Sequence, residues 1–375
     1  MNNLKRFFLK YRLNIASGLT LILAFIAVLS IYFSLEVRVT SNDECIWDPI
    51  KVTQDSIKMV FKNVKIEGVT YNAGIRDGDL LLQIDNKNLK TTFEAQRILN
   101  EFKSGEYADY TIQKPDGKIV HTKVYVKKLI QFGALAQSIS ALLYLLIGFI
   151  VYSAKPDGLA QKLFFALGVF VVLAAANVLF PFDGVNFTDF LIQNPLIAFF
   201  AGSIVMISQV LVPIILLYFV WSFPVQFKFA AKKSVKNTFI TIAVIFIISG
   251  IILAGSLYFT NFKSLKWYNL WQTIVRIAFV VIYFASLVSL IIQYTKEKNP
   301  DNKKPLLLFV IAFTFGMLIQ LYVGTIAPAI SDTVFNSPEY YMPIVLIVFV
   351  PIIFAYAIFK YHLLDVSIVV RNTII

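Results

Sequence analysis

Few residues in this 375-residue chain have the types and spacing that chemistry requires. The two histidines, His121 and His362, could accept a phosphoryl group or bind a metal ion, and Cys45 is the single cysteine. One cysteine cannot form an intramolecular disulfide, and the usual multi-cysteine zinc site is excluded. His362 adjoins an apolar run and is followed by two leucines, so we interpret it as an interfacial packing residue. The sequence therefore predicts no metal site and no catalytic residue.

The motifs of common enzymes are missing as well. There is no G-x-x-x-x-G-K-[ST] loop for nucleotide phosphates and no H-E-x-x-H pair for a catalytic zinc ion. We therefore predict that this chain is not an enzyme and that it has no cofactor. Histidine kinase activity is expected only if a catalytic region follows Ile375.

Arg276 is the one ionisable residue deep inside an apolar run, in the sequence WQTIVRIAFVV. Ionisable residues within a membrane span are functional candidates by default. Two interpretations stay open: the side chain extends toward Trp267 and Trp271 at the membrane surface, or it binds a ligand or acts as a switch. The glutamines of the apolar runs are interpreted as interhelical hydrogen-bonding residues, namely Gln209, Gln272, Gln293 and Gln320.

The composition predicts an integral membrane protein. The chain is 58% hydrophobic and only 15% charged, with a mean hydropathy of +0.72, whereas soluble domains are about 25% charged. A helix needs about 20 apolar residues to cross the hydrocarbon layer. Eight such runs are present: 14–35, 130–153, 163–181, 195–221, 237–259, 269–294, 306–330 and 341–359.

The distribution of basic residues predicts the orientation of these spans. With a cytoplasmic N-terminus, sixteen Lys and Arg residues flank the spans on the cytoplasmic side, and the short loops of the other side hold only Lys263 and Lys266. Both termini are therefore predicted to be cytoplasmic, in the cell (inner) membrane. The net charge of +12 follows from this bias, so membrane lipid is expected as a partner and nucleic acid is not.

Residues 40–128 form a separate unit with the pattern of strands, turns and one helix, on the extracytoplasmic side. Gly74 and Gly78 stand where tight connections need positive φ, and an apolar strand follows at 80–84. Thr91 and Glu94 form a capping-box pattern for a helix that reaches Phe102. A hairpin is expected about the sequence Pro-Asp-Gly at 115–117.

The segment AGIRDGDLLLQIDNKNL, within this unit, resembles the bacterial type of PDZ domain. The resemblance implies a small capped α+β barrel that binds an extended peptide as an added strand beside its helix. The groove would lie between helix 92–102 and a strand near 57–61. Its candidate residues are Ile57, Met59, Phe61, Thr92, Gln96 and Leu99, and the structural turn residues are Gly74, Gly78 and Asp79.

One departure from the PDZ pattern concerns the loop that binds a peptide carboxylate, which usually contains glycine. No glycine occurs between Gly18 and Gly68, so binding of a free carboxylate stays open. A PDZ-like fold used only for packing or for forming a homodimer is the alternative.

The end of the last apolar run, AYAIFKYHLLDVSIVVRNT, resembles the membrane exit of multi-span bacterial sensor histidine kinases and related membrane-tethered regulators. The resemblance implies a sensory module of a two-component system whose helices signal to a cytoplasmic kinase or phosphatase output. A PDZ scaffold for an envelope protease or its substrate is the second hypothesis, and a transporter is the third.

The expected organisation has four parts. Residues 1–39 are a cytoplasmic start and anchor helix, 40–128 the PDZ-like domain, 129–360 a seven-helix bundle, and 361–375 a cytoplasmic segment leading to an output domain. The expected fold class is thus an all-α bundle of about eight transmembrane helices with an inserted extracytoplasmic α+β domain.

Overall fold

The computed structural model describes residues 3–37, 39–53, 56–89, 92–179, 194–223, 226–230, 232–259, 265–331, 334–335, 337–361 and 363–365. The predictions for Thr91 and His362, and for most of segment 361–375, lie outside these residues. Among the described residues, eight helical segments are long and apolar enough to cross a membrane, as the sequence predicts. They are Lys10–Val37, Phe132–Ala154, Leu159–Leu179, Pro195–Ser222, Lys233–Ser256, Lys266–Lys296, Pro300–Ile330 and Pro338–Lys360. The protein is therefore a multi-pass membrane protein.

A β-rich domain, residues 40–129, follows the first helix. Helix α1 spans Asn3–Tyr32 and continues as a π-helical turn, Phe33–Val37. The domain contains eight strands in the described chain: β1 (Thr40–Asn42), β2 (Ile46–Thr53), β3 (Ser56–Lys62), β4 (Leu80–Ile84), β5 (Lys87–Asn88), β6 (Tyr107–Gln113), β7 (Ile119–Tyr125) and β8 (Lys127–Leu129). Two helices complete it, α2 (Val69–Asn72) and α3 (Thr92–Asn100).

The strands of this domain form two antiparallel sheets. The larger sheet has the order β2-β3-β4-β6-β7, with β5 paired to β4, and β1 pairs separately with β8. The inward side chains of β3, β4 and β6 pack with α3 around Phe61, Tyr110 and Leu99, all fully buried. Each such side chain contributes about 1.5–3 kcal/mol by leaving water. The domain therefore has its own apolar core, as the alternating pattern of the sequence predicts.

Most of the membrane helices after the domain pack around a second, aromatic core, whereas Lys233–Phe259 packs in a separate cluster with Trp271 and Met206. The helices after the domain are α4 (Phe132–Ala154), α5 (Leu159–Ala175), α6 (Pro195–Ser222), α7 (Lys233–Phe259), α8 (Leu265–Lys296), α9 (Pro300–Leu321), α10 (Ala327–Ile330) and α11 (Phe349–Lys360). Phe164, Phe309, Phe313 and Phe354 are almost completely buried at the centre of the aromatic core. Close packing of large rings is a principal attraction between helices in lipid, where no hydrophobic driving force brings them together.

Glycines set the closest approach in this bundle. A Cβ atom at Gly168 of α5 would lie 2.6 Å from the carbonyl oxygen of Tyr144 in α4. A Cβ atom at Gly148 of α4 would lie 3.1 Å from the carbonyl oxygen of Phe164. Small residues at such crossings allow the two backbones to meet directly.

Two polar contacts mark the end of the bundle away from the β-rich domain, here called the domain-distal end. Arg12 of α1 forms an ion pair with Asp157, in the connection between α4 and α5. Gln161 of α5 donates a 3.1 Å hydrogen bond to the carbonyl oxygen of Leu364, just after α11. The opposite end of the bundle, next to the domain, is called the domain-proximal end.

Candidate functional site

The strand predicted to border a peptide groove is enclosed by its neighbours. Strand β3 pairs along its length with β2, and Met59 and Val60 also pair with β4 on the other side. Met59, Phe61 and Leu99 are at most 1% exposed, in the domain core. Ile57 lies in β3 opposite Lys51 of β2. The predicted position of the groove is therefore corrected, because β2 occupies one edge of β3 and β4 occupies the other edge at Met59 and Val60.

The other two groove candidates lie on α3. Thr92 begins this helix and is partly buried. Gln96 donates a 2.9 Å hydrogen bond to the carbonyl oxygen of Ser41, and the Ser41 hydroxyl donates one of 2.8 Å to the carbonyl oxygen of Leu99. The chain's own strand β1 thus packs against α3. In the described chain, the outer edge of the larger sheet on this side belongs to β2.

The predicted turn residues adopt the expected backbone conformations. Gly74 has φ +83° and Gly78 has φ +91°, a region that L-residues with a Cβ atom rarely occupy. Asp79 is 2% exposed and accepts hydrogen bonds from the Arg76 backbone N–H, at 2.8 Å, and from the Lys114 ammonium group, at 2.7 Å. These residues close the turn before β4, which is a structural role.

A buried polar cluster lies between β1 and β2. The Tyr110 hydroxyl donates a 3.0 Å hydrogen bond to Asp43, and the Thr70 hydroxyl donates one to the Asp43 carbonyl oxygen. Burial raises the pKa of Asp43 to about 6, because desolvation disfavours the charged carboxylate. Burial also raises the pKa of the Cys45 thiol, and the nearby carboxyl group of Asp43 raises it further. Cys45 is therefore an unreactive, buried thiol rather than a bridging one.

The turn that carries this cluster is strained and held by hydrogen bonds. Glu44 has φ +59°, a conformation that costs a residue with a Cβ atom about 1–2 kcal/mol. Its backbone N–H donates to the Asn42 side chain at 2.9 Å, and its carboxylate accepts from the Val69 N–H and from Lys127, each at 2.9 Å. Glu44 thus adopts a positive φ, a conformation that favours glycine, and these hydrogen bonds stabilise it.

The same turn connects the β-rich domain to the bundle. The Asn42 side-chain amide donates a 2.8 Å hydrogen bond to the carbonyl oxygen of Phe335, in the connection between α10 and the last membrane span. Lys65 lies 3.8 Å from a carboxylate oxygen of Glu339 and also 3.8 Å from one of Glu44. The domain thus contacts the segment that leads directly into the last membrane span.

A cavity of about 740 Å³ lies inside the domain-proximal half of the bundle. Amide side chains from five helical segments reach it: Gln137, Asn177, Gln209, Gln272 and Gln320. The apolar part of its lining includes Leu167, Leu216, Phe313, Val350 and Phe354. Its volume lies within the range of about 300–1,000 Å³ that is usual for small-molecule sites.

Arg276 lines this cavity together with Tyr268, Asn269, Gln272, Phe279 and Tyr283 of the same helix. Their spacing of three and four residues places them on one face of α8. Arg276 is the one charged residue among the described residues that line the cavity. The Arg276 side chain is exposed along the cavity. An arginine within a membrane span is costly, so its presence requires an explanation.

The glutamines of the membrane spans divide into two groups. Gln293 donates a 2.8 Å hydrogen bond to the carbonyl oxygen of Val220, which joins α8 to α6 as the sequence analysis expects. Gln209, Gln272 and Gln320 instead line the cavity. The cavity amides Gln137 and Asn177 were not predicted, since in the sequence each is only a polar residue near one end of an apolar run.

Pro213 modifies the cavity wall formed by α6. A proline has no N–H, so the carbonyl group of Gln209, four residues earlier, loses its helical donor. The side-chain oxygen of Gln209 and the hydroxyl of Ser140 are also buried without a hydrogen-bond partner among the described residues. In membrane helices, the backbone groups that a proline frees are satisfied by neighbouring helices, side chains or water.

Comparisons with known proteins give no family for this chain. No family model matches it. The curated proteins contain no sequence match either. Among the described residues, no group of three or more His, Cys, Asp or Glu side chains could hold a metal ion. The functional argument therefore depends on the geometry above.

Proposed function

We propose that this protein is a membrane sensory module. Its β-rich domain, as a PDZ-like domain, binds an extracytoplasmic peptide or protein, and its helices pass the resulting state to a cytoplasmic kinase or phosphatase output. The observation that carries the proposal is the contact of Asn42 with Phe335, because it joins the domain to the segment that enters the last membrane span.

The backbone between this contact and the far side of the bundle supports a relay. Two 3₁₀ segments, Pro338–Tyr340 and Met342–Val348, precede α11. Such segments have poorer hydrogen-bond geometry than an α-helix and often mark hinges. Helix α11 then leads to Leu364, whose carbonyl oxygen is bonded to Gln161 at the domain-distal end. A change at the domain would thus reach the distal end through one continuous segment.

The docking surface for a peptide would be the outer edge of β2. This edge carries no strand pairing among the described residues, and an extended peptide can pair with such an edge through main-chain hydrogen bonds. Because β2 adjoins the turn at 42–45, a peptide bound there would lie next to the contact with the bundle. A ligand can shift the bundle only if it binds one packing more tightly than the other.

Distance measurements at the domain-distal end test the relay. Spin labels are attached at cysteines replacing Lys162 and Lys360 in a Cys45→Ala background, with the full chain in lipid nanodiscs. Asn42→Ala, which removes the bond to Phe335, should shift the distance distribution between the labels. Gln96→Ala is the matched control, since it removes a side-chain amide bond of similar length, 2.9 Å, that lies inside the domain and does not touch the bundle. Identical distributions for all three proteins would refute the relay.

A scaffold is the second candidate, favoured by the same unpaired edge of β2. In that case extended envelope peptides bind to the full chain, but the distances at the domain-distal end stay unchanged on binding. A sensory module requires both binding and a change in these distances. The two functions therefore differ in one measurement.

A further inference from the structure

The charge of Arg276 has no internal counterpart in the described part of the chain. No carboxylate there forms an ion pair with it, and no other charged residue lines the cavity. Arg276 lies in the first half of α8, which spans Leu265–Lys296. Ionisable residues within a membrane span are normally paired or serve a ligand. An anionic group that enters the cavity would supply the missing partner.

The side chains around Arg276 suit the head group of such a ligand. A guanidinium group is planar and presents its N–H donors as a fork that matches the two oxygens of a carboxylate or phosphate. Gln272, one turn before Arg276, donates a 2.9 Å hydrogen bond to the Tyr268 hydroxyl, so both side chains already face the same part of the cavity. Amide and hydroxyl groups can add bonds to the remaining oxygens.

The rest of the lining suits an apolar chain. Phe313 and Phe354 are 1% and 2% exposed and pack against each other with ring centroids 5.7 Å apart, which makes this part of the wall rigid. Leu167, Leu216 and Val350 complete an apolar surface. The domain-proximal end of the lining is mixed, with Gln320 and Asn177 beside Gly133 and Ile344, whereas Leu216 and Phe354 form an apolar part farther from the domain.

We propose that this cavity binds an amphiphile with an anionic head group, in which Arg276 holds a carboxylate or phosphate and the apolar lining holds the chain. The ligand is either a free single-chain amphiphile or the head-group region of an anionic membrane lipid. This site goes beyond the relay described above, since it requires neither a peptide at β2 nor an output domain.

Direct binding to the full chain tests the proposal. The protein is placed in nanodiscs of zwitterionic lipid and titrated calorimetrically with dodecyl phosphate, dodecanoate and dodecanol. Saturable binding of the two anions with one site per chain is expected, with much weaker binding of the uncharged alcohol. Arg276→Gln should weaken anion binding about 10- to 100-fold, as expected for loss of a charged hydrogen bond. Arg276→Lys should retain part of the affinity.

Matched variants separate the site from general charge effects. Lys266→Gln removes an exposed cation on the same helix that does not line the cavity, so the affinity should stay unchanged. Val171→Phe narrows the cavity without changing its charge and should also weaken the binding of both anions. If Arg276→Gln and Lys266→Gln weaken binding equally, or if the alcohol binds as tightly as the anions, the proposal is overturned.

A second titration identifies the source of the ligand. Nanodiscs containing an anionic phospholipid are compared with zwitterionic ones at equal protein concentration. Competition of the lipid with dodecyl phosphate, lost in Arg276→Gln, supports the site and assigns it to the membrane lipid. Unchanged affinity for dodecyl phosphate, again dependent on Arg276, supports the site and assigns it to a free amphiphile. Competition that persists in Arg276→Gln contradicts the site.

Discussion

The side-chain amide of Asn42, in the first strand of the β-rich domain, bonds to the backbone carbonyl of Phe335 at 2.8 Å, across 293 positions of sequence. The same side chain accepts the N–H of Glu44 at 2.9 Å and so fixes the turn that carries the buried Asp43. One residue thus links the interior of the domain to the connection before the last span.

Removal of this link should loosen the connection locally. In Asn42→Ala the carbonyl of Phe335 loses its donor, at a cost of about 1–3 kcal/mol for the two bonds together. Backbone amides of residues 337–341 should then exchange with deuterium faster, as read by mass spectrometry of the full chain in nanodiscs. Gln96→Ala should leave these amides at the native rate, and equal acceleration in both variants would argue against a specific link.

Asp43 should give the domain an unusual dependence on pH. The folded domain holds the proton of Asp43 up to about pH 6, whereas the unfolded chain releases it near 3.8. The raised pKa means that the contribution of Asp43 to stability falls as pH rises from about 4 to about 6, by up to about 3 kcal/mol, and is constant above.

Asp43→Asn isolates this effect, because the amide oxygen can still accept the hydrogen bond from Tyr110. The protection of β6 amides against exchange, corrected for intrinsic rates, should lose this part of its pH dependence. Asp109→Asn is the control, since its exposed carboxylate forms an ion pair with Lys123 at 4.0 Å. A pH profile that is the same in Asp43→Asn and the native chain would contradict the prediction.

Accessibility to a thiol reagent should establish the orientation in the membrane. Cys45 is 5% exposed and therefore a poor probe, so a Cys45→Ala background is used. A cysteine at Ser104, an exposed position of the β-rich domain, should react with an impermeant maleimide in intact cells stripped of outer layers. A cysteine at Asn302, exposed at the start of α9, should react only after the membrane is ruptured. The reverse pattern would contradict the orientation that the basic residues predict.

Close packing of α4 on α5 should tolerate no side chain at Gly168. A Cβ atom there would meet backbone atoms of Tyr144 and Leu145 at 2.6 and 2.8 Å, and backbone cannot rotate away as a side chain can. Gly168→Ala should lower stability by about 1–3 kcal/mol, measured as a lower midpoint of thermal unfolding in detergent. Gly18→Ala in α1 has nothing within 4 Å and should be near neutral, apart from a small gain in helix propensity.

Hydrophobic run length and local turn chemistry predicted much of the architecture. The eight runs correspond to the eight membrane-length helical segments. A span needs a minimum length of apolar residues, and in lipid its backbone groups must form hydrogen bonds within the helix itself. Gly74 and Gly78 were predicted because positive φ is a local requirement. These features depend on neighbours in sequence.

The location of the groove was wrong for a non-local reason. The sequence analysis placed the groove beside a strand near 57–61, and only the pairing order shows that β3 lies between β2 and β4 and that β2 is at the edge. Pairing between strands depends on partners distant in sequence, which alternation of side chains alone does not specify.

By itself, the sequence determined the membrane class, the number of spans and the presence of a separate β-rich unit, because each follows from the local cost of placing polar or apolar groups in lipid or water. Only the tertiary structure decided that Arg276 lines a cavity with amides from other helices, and that Asn42 reaches Phe335. Both depend on contacts between residues that are distant in sequence. The period of a helix or strand shows which residues share a face, but it does not identify the element that packs against that face.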